Sequence, residues 1–179
     1  MSIETLKNSM PEMAKDIKLN LSTILTEEGA PDLKLQQIFS IALASAYAIK
    51  NRSVIQSILS HSKTSLNENE IKAAQMAATI MAMNNIYYRF THIANDKTYA
   101  TMSAKLRMNF IANPGVNKVD FELNCLAVSV INGCGMCIDA HAAELIKTGV
   151  TQLGIQSAVR IASVLNATAM AIEITENSV

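Results

Sequence analysis

Two cysteines three residues apart, Cys134 and Cys137, stand with a histidine four beyond the second, His141. On a helix that begins near Cys134, positions i, i+3 and i+7 share one face, so these three side chains converge. A thiolate near a helix N-terminus is favoured by free backbone N–H groups and the positive end of the dipole, which lowers a cysteine pKa below its usual value of about 8.5. A nearby imidazole lowers it further. Gly133 and Gly135 are expected to let the backbone bend around the sulfurs. Such thiols can close a disulfide and reopen it, so the window Asn132–His141 reads as a redox-active dithiol.

Other readings compete for the same residues. Two thiolates and an imidazole are good zinc ligands, with a carboxylate as the fourth, but structural zinc sites take their pairs from separate elements. Thioredoxin also uses a Cys-x-x-Cys pair, but that fold needs strands and this sequence offers almost none. The bland reading, two small buried residues and a chance histidine, is weakened by the phase of His141 and by the flanking glycines. A proton-carrying histidine needs an orienting carboxylate. Glu144, three residues on, and Glu122, twelve residues before Cys134 on the preceding helix, are both candidates, whereas Asp139 points to a different face. Periodicity does not choose between the two glutamates. Cys125, among Leu123, Leu126, Val128 and Val130, reads as an inert core thiol, and the ten methionines, Met81 included, read as core filler. His61 and His92 sit near expected helix ends and read as surface or capping residues.

The elements that must position the dithiol are helices. Apolar residues recur at spacings of three and four almost throughout, which makes the fold class all-α. The pattern predicts helices over 3–24 (restarting at Pro11), 34–50, 53–62, 67–89, 98–108, 119–132, 134–148 and 151–174, with 111–117 as the clearest loop. Asp120 and Thr151 read as N-terminal signals and Gly149 as a stop. Sliding the chain by 84 residues pairs Ser45 with Ser129, Lys63 with Lys147, Ile71 with Ile155 and Ala74 with Ala158. A single domain over 1–179 with two similar halves, 36–90 and 120–174, is therefore expected, and only the second half carries the thiols.

Composition narrows the function. The 179 residues suit one domain, and six glycines with three prolines are under half the usual share of roughly 12%, too few for an all-β protein. Fifteen basic residues balance fifteen acidic ones, and there are only four tyrosines, four phenylalanines and no tryptophan, so no nucleic-acid partner is expected. The first residues lack a secretory pattern and no run approaches the roughly 18 apolar residues of a membrane span, so a cytoplasmic protein with no membrane association is expected. Charged residues are 17% of the chain against a usual 25% or so, which suggests that copies of the chain cover part of its surface.

Glu122, eleven residues, Cys134-x-x-Cys137, three residues and His141 form a Glu…Cys-x-x-Cys-x-x-x-His signature. With it the chain resembles the AhpD-type alkylhydroperoxidases of the carboxymuconolactone decarboxylase-like superfamily. The segments 14–21, 83–89 and 106–115 also look like segments of that family, so the resemblance covers nearly the whole chain. It implies an all-helical subunit, commonly a homotrimer, acting in antioxidant defence. It further implies a dithiol that reduces hydroperoxides and the disulfide of the peroxiredoxin AhpC, with no bound cofactor. Electrons would come from dihydrolipoamide on a 2-oxoacid dehydrogenase acyltransferase, recharged by lipoamide dehydrogenase and NADH. By the same resemblance Cys137 becomes the sulfenic acid, Cys134 is proton donor and disulfide partner, and Glu122 with His141 forms the proton relay. The residues themselves leave open which sulfur attacks, since Cys134 lies nearer the helix start. Met136 stands where the family often carries a second histidine. The alternatives are a decarboxylase of the same superfamily, which lacks the cysteine pair, and a zinc-binding or adaptor protein.

Overall fold

Asn51, Asn67 and Thr151 each turn a side-chain oxygen onto backbone N–H groups at the start of the following helix, and Glu70 returns a bond to the Asn67 N–H at 2.8 Å. With these caps the computed structural model, which describes residues 1–177, is a set of helices joined by short turns. The last two positions of the expected 1–179 span lie outside the described residues. In chain order the helices are α1 (Ile3–Ser9), α2 (Lys15–Ile24), α3 (Leu35–Ile49), α4 (Arg52–Ser62), α5 (Glu68–Ile93), α6 (Thr98–Thr101), α7 (Asn109–Ala112), α8 (Lys118–Ile131), α9 (Gly135–Lys147) and α10 (Gln152–Glu176). No strand occurs among the described residues. The fold class is all-α.

Helices α3 and α8 are the interior. Nine consecutive residues of each, Ile38–Ala46 and Phe121–Ser129, are buried, as expected of helices apolar on all sides. Both pack on each other, on α5 and on α10, while α9 leans on α8 and α5. Ala42, Ala44 and Ala46 of α3 and Ala73, Ala74 and Ala77 of α5 are all buried, and these small side chains let the packed helices come close. Fully buried Leu43, Leu123, Leu126 and Leu165 each contribute on the order of 1.5–3 kcal/mol by leaving water.

Helices α8, α9 and α10 begin at 118, 135 and 152, and α3, α4 and α5 at 35, 52 and 68, a constant step of 83 or 84 residues. Residues 84 apart meet where α3 crosses α8: Gln36 Nε2 donates to Asp120 Oδ2 at 3.3 Å, and Asn124 Nδ2 donates to Ser40 Oγ at 2.8 Å.

Several expected boundaries shift for identifiable reasons. The expected restart within 3–24 occurs, because Met10 is extended before Pro11, which lacks the N–H a continuing helix needs, but it falls later than Pro11: a 3-10 turn over Glu12–Ala14 comes first and α2 begins at Lys15. The expected helix over 98–108 shrinks to α6, ended by extended Met102 and followed by Lys105 at φ +51°. Residues 111 and 112 of the expected loop belong to α7. Asp120 lies in the first turn of α8, whose start is capped by Asn117. Helix α5 runs four residues beyond its expected end at 89. By length and composition α10 alone among the described residues could cross a membrane, with a mean hydropathy of 1.3; its buried face packs against α2, α3 and α8.

Candidate active site

The turn between α8 and α9 sets the position of both cysteines. Helix α8 ends at Ile131, and Gly133 then adopts φ +65°, a left-handed conformation that side chains with a Cβ resist. That reversal brings the Cys134 N–H onto the Ser129 carbonyl at 3.1 Å and makes Cys134 the residue that caps α9. Three bonds tie the turn to α5. Asn132 Nδ2 donates to Asn85 Oδ1 at 2.9 Å, Asn85 Nδ2 donates to Ser129 Oγ at 2.9 Å, and Arg89 Nη1 donates to the Asn132 carbonyl at 2.6 Å.

Cys134 and Cys137 are joined in a disulfide, with 5.3 Å between their Cα atoms. The two sulfurs are unequal. Cys134 is wholly buried, and its Sγ accepts from the Cys137 N–H at 3.3 Å. Cys137 lines a cavity of ≈ 260 Å³ together with His141, and Cys134 is not in its wall. Of the three residues expected on one face, the structure therefore brings Cys137 and His141 to one opening and sets Cys134 behind them. The rest of the wall is mostly apolar, with Met81, Met108, Met136 and Ile111.

His141 Nδ1 lies 2.7 Å from Glu122 Oε2, and Nε2 lies 3.3 Å from the Met81 sulfur. Packing of α8 against α9 makes the first contact, carrying Glu122, which is only 6% exposed, under the ring. Glu144 turns the other way, to Lys118 at 3.1 Å and Lys147 at 3.8 Å, and the Lys118 ammonium holds its carboxyl below the ordinary carboxylate range. Of the two glutamates left open by spacing, Glu122 is the one that reaches the histidine.

This geometry belongs to a chain with clear relatives. Residues 98–175 match the model of the carboxymuconolactone decarboxylase family. The chain is 52% identical over 175 residues to an alkyl hydroperoxide reductase AhpD of Coxiella burnetii, covering 98% of each protein. It is 53% identical over 169 residues to that of Maricaulis maris, covering 94% of this chain and 96% of the relative, and 49% identical over 173 residues to that of Azorhizobium caulinodans, covering 97% and 94%. The chain belongs to the AhpD family.

In this member of the AhpD family Cys125 lies in the α8 interior, fully buried, where burial, together with the charge of Glu122, pushes its thiol well above the usual range. Asp139 is exposed and does not line the cavity, and the exposed His61 ring lies tilted against Phe39 at 5.0 Å. His92, in the last turn of α5, is exposed as well. Met81, read as filler, is indeed buried, but its sulfur also faces His141. Sequence reasoning missed Asn84 of α5, which lines the cavity. The signal was the pair Asn84-Asn85 in mid-helix, where asparagine is an unfavourable residue.

The two glycines around Cys134 differ. Gly133 needs its positive φ, whereas Gly135 has an ordinary backbone in the first turn of α9, and a Cβ there meets nothing within 4 Å. The expectation that both relieve the backbone is corrected to Gly133 alone. Gly133→Ala is expected to destabilise the fold by about 1–2 kcal/mol, while Gly135→Ala is expected to be neutral or to stabilise by up to ~1 kcal/mol. Urea unfolding of both variants checks the contrast.

Proposed function

We propose that the protein is an antioxidant thiol oxidoreductase that reduces hydroperoxides and the disulfide of the peroxiredoxin AhpC, drawing electrons from dihydrolipoamide. The observation that carries this reading is a closed Cys134–Cys137 pair whose second sulfur opens on an apolar cavity beside a carboxylate-oriented histidine. Relatives at about half identity over nearly the whole chain are alkyl hydroperoxide reductases by name. Cys137 attacks the outer peroxide oxygen and becomes a sulfenic acid, and the alcohol leaves with a proton from Cys134. Cys134 then displaces water from that sulfenic acid to form the disulfide. Glu122 and His141 take up the Cys137 proton and return it. Dihydrolipoamide, carried on the acyltransferase and renewed by lipoamide dehydrogenase with NADH, reopens the disulfide, and the reduced pair can pass its electrons to AhpC. This chemistry suits the cytoplasm and requires no bound cofactor.

The test is NADH consumption with the protein, lipoamide, lipoamide dehydrogenase and either an organic hydroperoxide or oxidised AhpC, leaving out one component at a time. Loss of NADH oxidation with each omission is the expected result. A rate independent of this protein removes the proposal.

A homotrimer accompanies this reading. Ile86, Phe90 and Ile93 form an exposed apolar stripe along α5, and the Phe90 ring meets exposed Tyr99 at 5.0 Å, with exposed Met102 nearby in sequence. Apolar surface arranged in this way favours association. Light scattering at micromolar concentration is expected to give about three times 19.4 kDa. A persistent monomer would contradict it.

A further inference from the structure

We propose that Asn84 is a further catalytic residue, whose carboxamide holds the peroxide group beside Cys137. The inference rests on the reading of the site as a peroxide-reducing dithiol, and it assigns Asn84 to the peroxide step alone. Asn84 is 4% exposed and lines the same cavity as Cys137 and His141. Its Oδ1 is buried and has no hydrogen-bond partner among the described residues.

Its neighbour supplies the contrast. Asn85 has a structural reason for its place, since its amide donates to Ser129 and accepts from Asn132, holding the cysteine turn. Asn84 has no such bond among the described residues, yet it occupies a mid-helix position that asparagine disfavours. A buried amide oxygen without a partner, in a wall otherwise rich in thioether and aliphatic groups, is unfavourable until a ligand supplies that partner.

A hydroperoxide fits this amide at two points. The R–O–O–H group has one donor, on the outer oxygen, and an acceptor on the inner oxygen next to it. A carboxamide offers one acceptor and two donors at a matching separation. Once the carboxamide turns about its terminal torsion to bring the buried Oδ1 to the cavity, Oδ1 accepts from the peroxide O–H and turns the outer oxygen towards Cys137, while Nδ2 donates to the inner oxygen. As the S–O bond forms, the O–O bond breaks and its electron pair goes to the inner oxygen, which leaves as alkoxide and takes the Cys134 proton to become the alcohol. Sulfur is oxidised to sulfenic acid and the peroxide is reduced. The Nδ2–H bond strengthens as charge grows on the leaving oxygen, so it acts in the transition state. Reduction of the disulfide by a dithiol breaks no O–O bond and makes no use of the amide.

The two half-reactions are measured separately by stopped flow on Asn84→Ala and Asn84→Leu. Oxidation of the reduced protein by cumene hydroperoxide is expected to slow about 10²-fold, while reduction of the disulfide by dithiothreitol stays within about twofold. A peroxide step within about threefold of the unmodified protein, or equal slowing of both half-reactions, overturns the assignment. If circular dichroism shows that both variants unfold, titration of the unmodified protein with 2-phenyl-2-propanol, the product alcohol, decides. A shift of the Asn84 side-chain NH₂ resonance supports the contact, and an unmoved resonance overturns it. An unmodified protein that does not react with peroxide overturns the functional reading itself; a reactive one with equally reactive variants overturns only the role of Asn84.

Discussion

Cys137→Ser is expected to lose peroxide turnover by at least ~10³-fold, because a serine hydroxyl at neutral pH is a far weaker nucleophile than a thiol. Cys134→Ser is expected to stop turnover as completely, but by a different route. Its Cys137 still opens on the cavity, so one equivalent of hydroperoxide is consumed and a sulfenic acid accumulates for lack of a partner sulfur. Dimedone labelling followed by mass spectrometry distinguishes the two variants. A label on Cys134 in Cys137→Ser, and none on Cys137 in Cys134→Ser, would reverse the assignment of the attacking thiol. Cys125→Ala is expected to retain most of the activity, since that thiol is fully buried and pushed upward by burial and by the charge of Glu122. Appearance of Cys125 in any disulfide after mild peroxide treatment would count against this division of roles.

Glu122→Gln is expected to slow thiol oxidation by at least tenfold and towards ~10²-fold, where the usual worth of general acid–base assistance begins. The substitution preserves volume in a buried position and removes the carboxylate that meets His141 Nδ1 at 2.7 Å. Glu144→Gln is expected to change the rate by less than about twofold, because its carboxylate is engaged with Lys118 and Lys147 at the partly exposed edge of α9. Single-turnover oxidation of both variants, compared at one pH and ionic strength, makes the contrast direct. Greater damage from Glu144→Gln would overturn the assignment of the relay to Glu122.

Much of this site is written locally. Cys134, Cys137 and His141 lie within one helical segment, so the spacing i, i+3, i+7 was enough to group them. Burial then separated the sulfurs, a difference that depends on what packs over the start of α9. The choice between Glu122 and Glu144 was not legible, because it depends on how α8 crosses α9. Met81 and Asn84 were further out of reach, since α5 lies some fifty residues earlier and carries no motif that links it to the cysteines. The caps at Asn51, Asn67 and Thr151 are local chemistry too. The stretch between α5 and α8 departs from its periodicity for the opposite reason: the left-handed Lys105 has no local cause in its residue type, and nothing in the apolar spacing of 98–108 announces it.

The burial of Cys134 has a consequence for the direction of electron entry. For a dithiol donor of the kind proposed, the sulfur of Cys137 is the one that borders the cavity, so the mixed disulfide is expected there, with Cys134 as the group expelled. The expelled sulfur emerges as a thiolate at the start of α9, where the Cys137 N–H already points at it from 3.3 Å and the helix dipole favours negative charge. A stabilised leaving thiolate departs faster. The regiochemistry of exchange is thus set by access to one sulfur, and its ease by the helix end that receives the other.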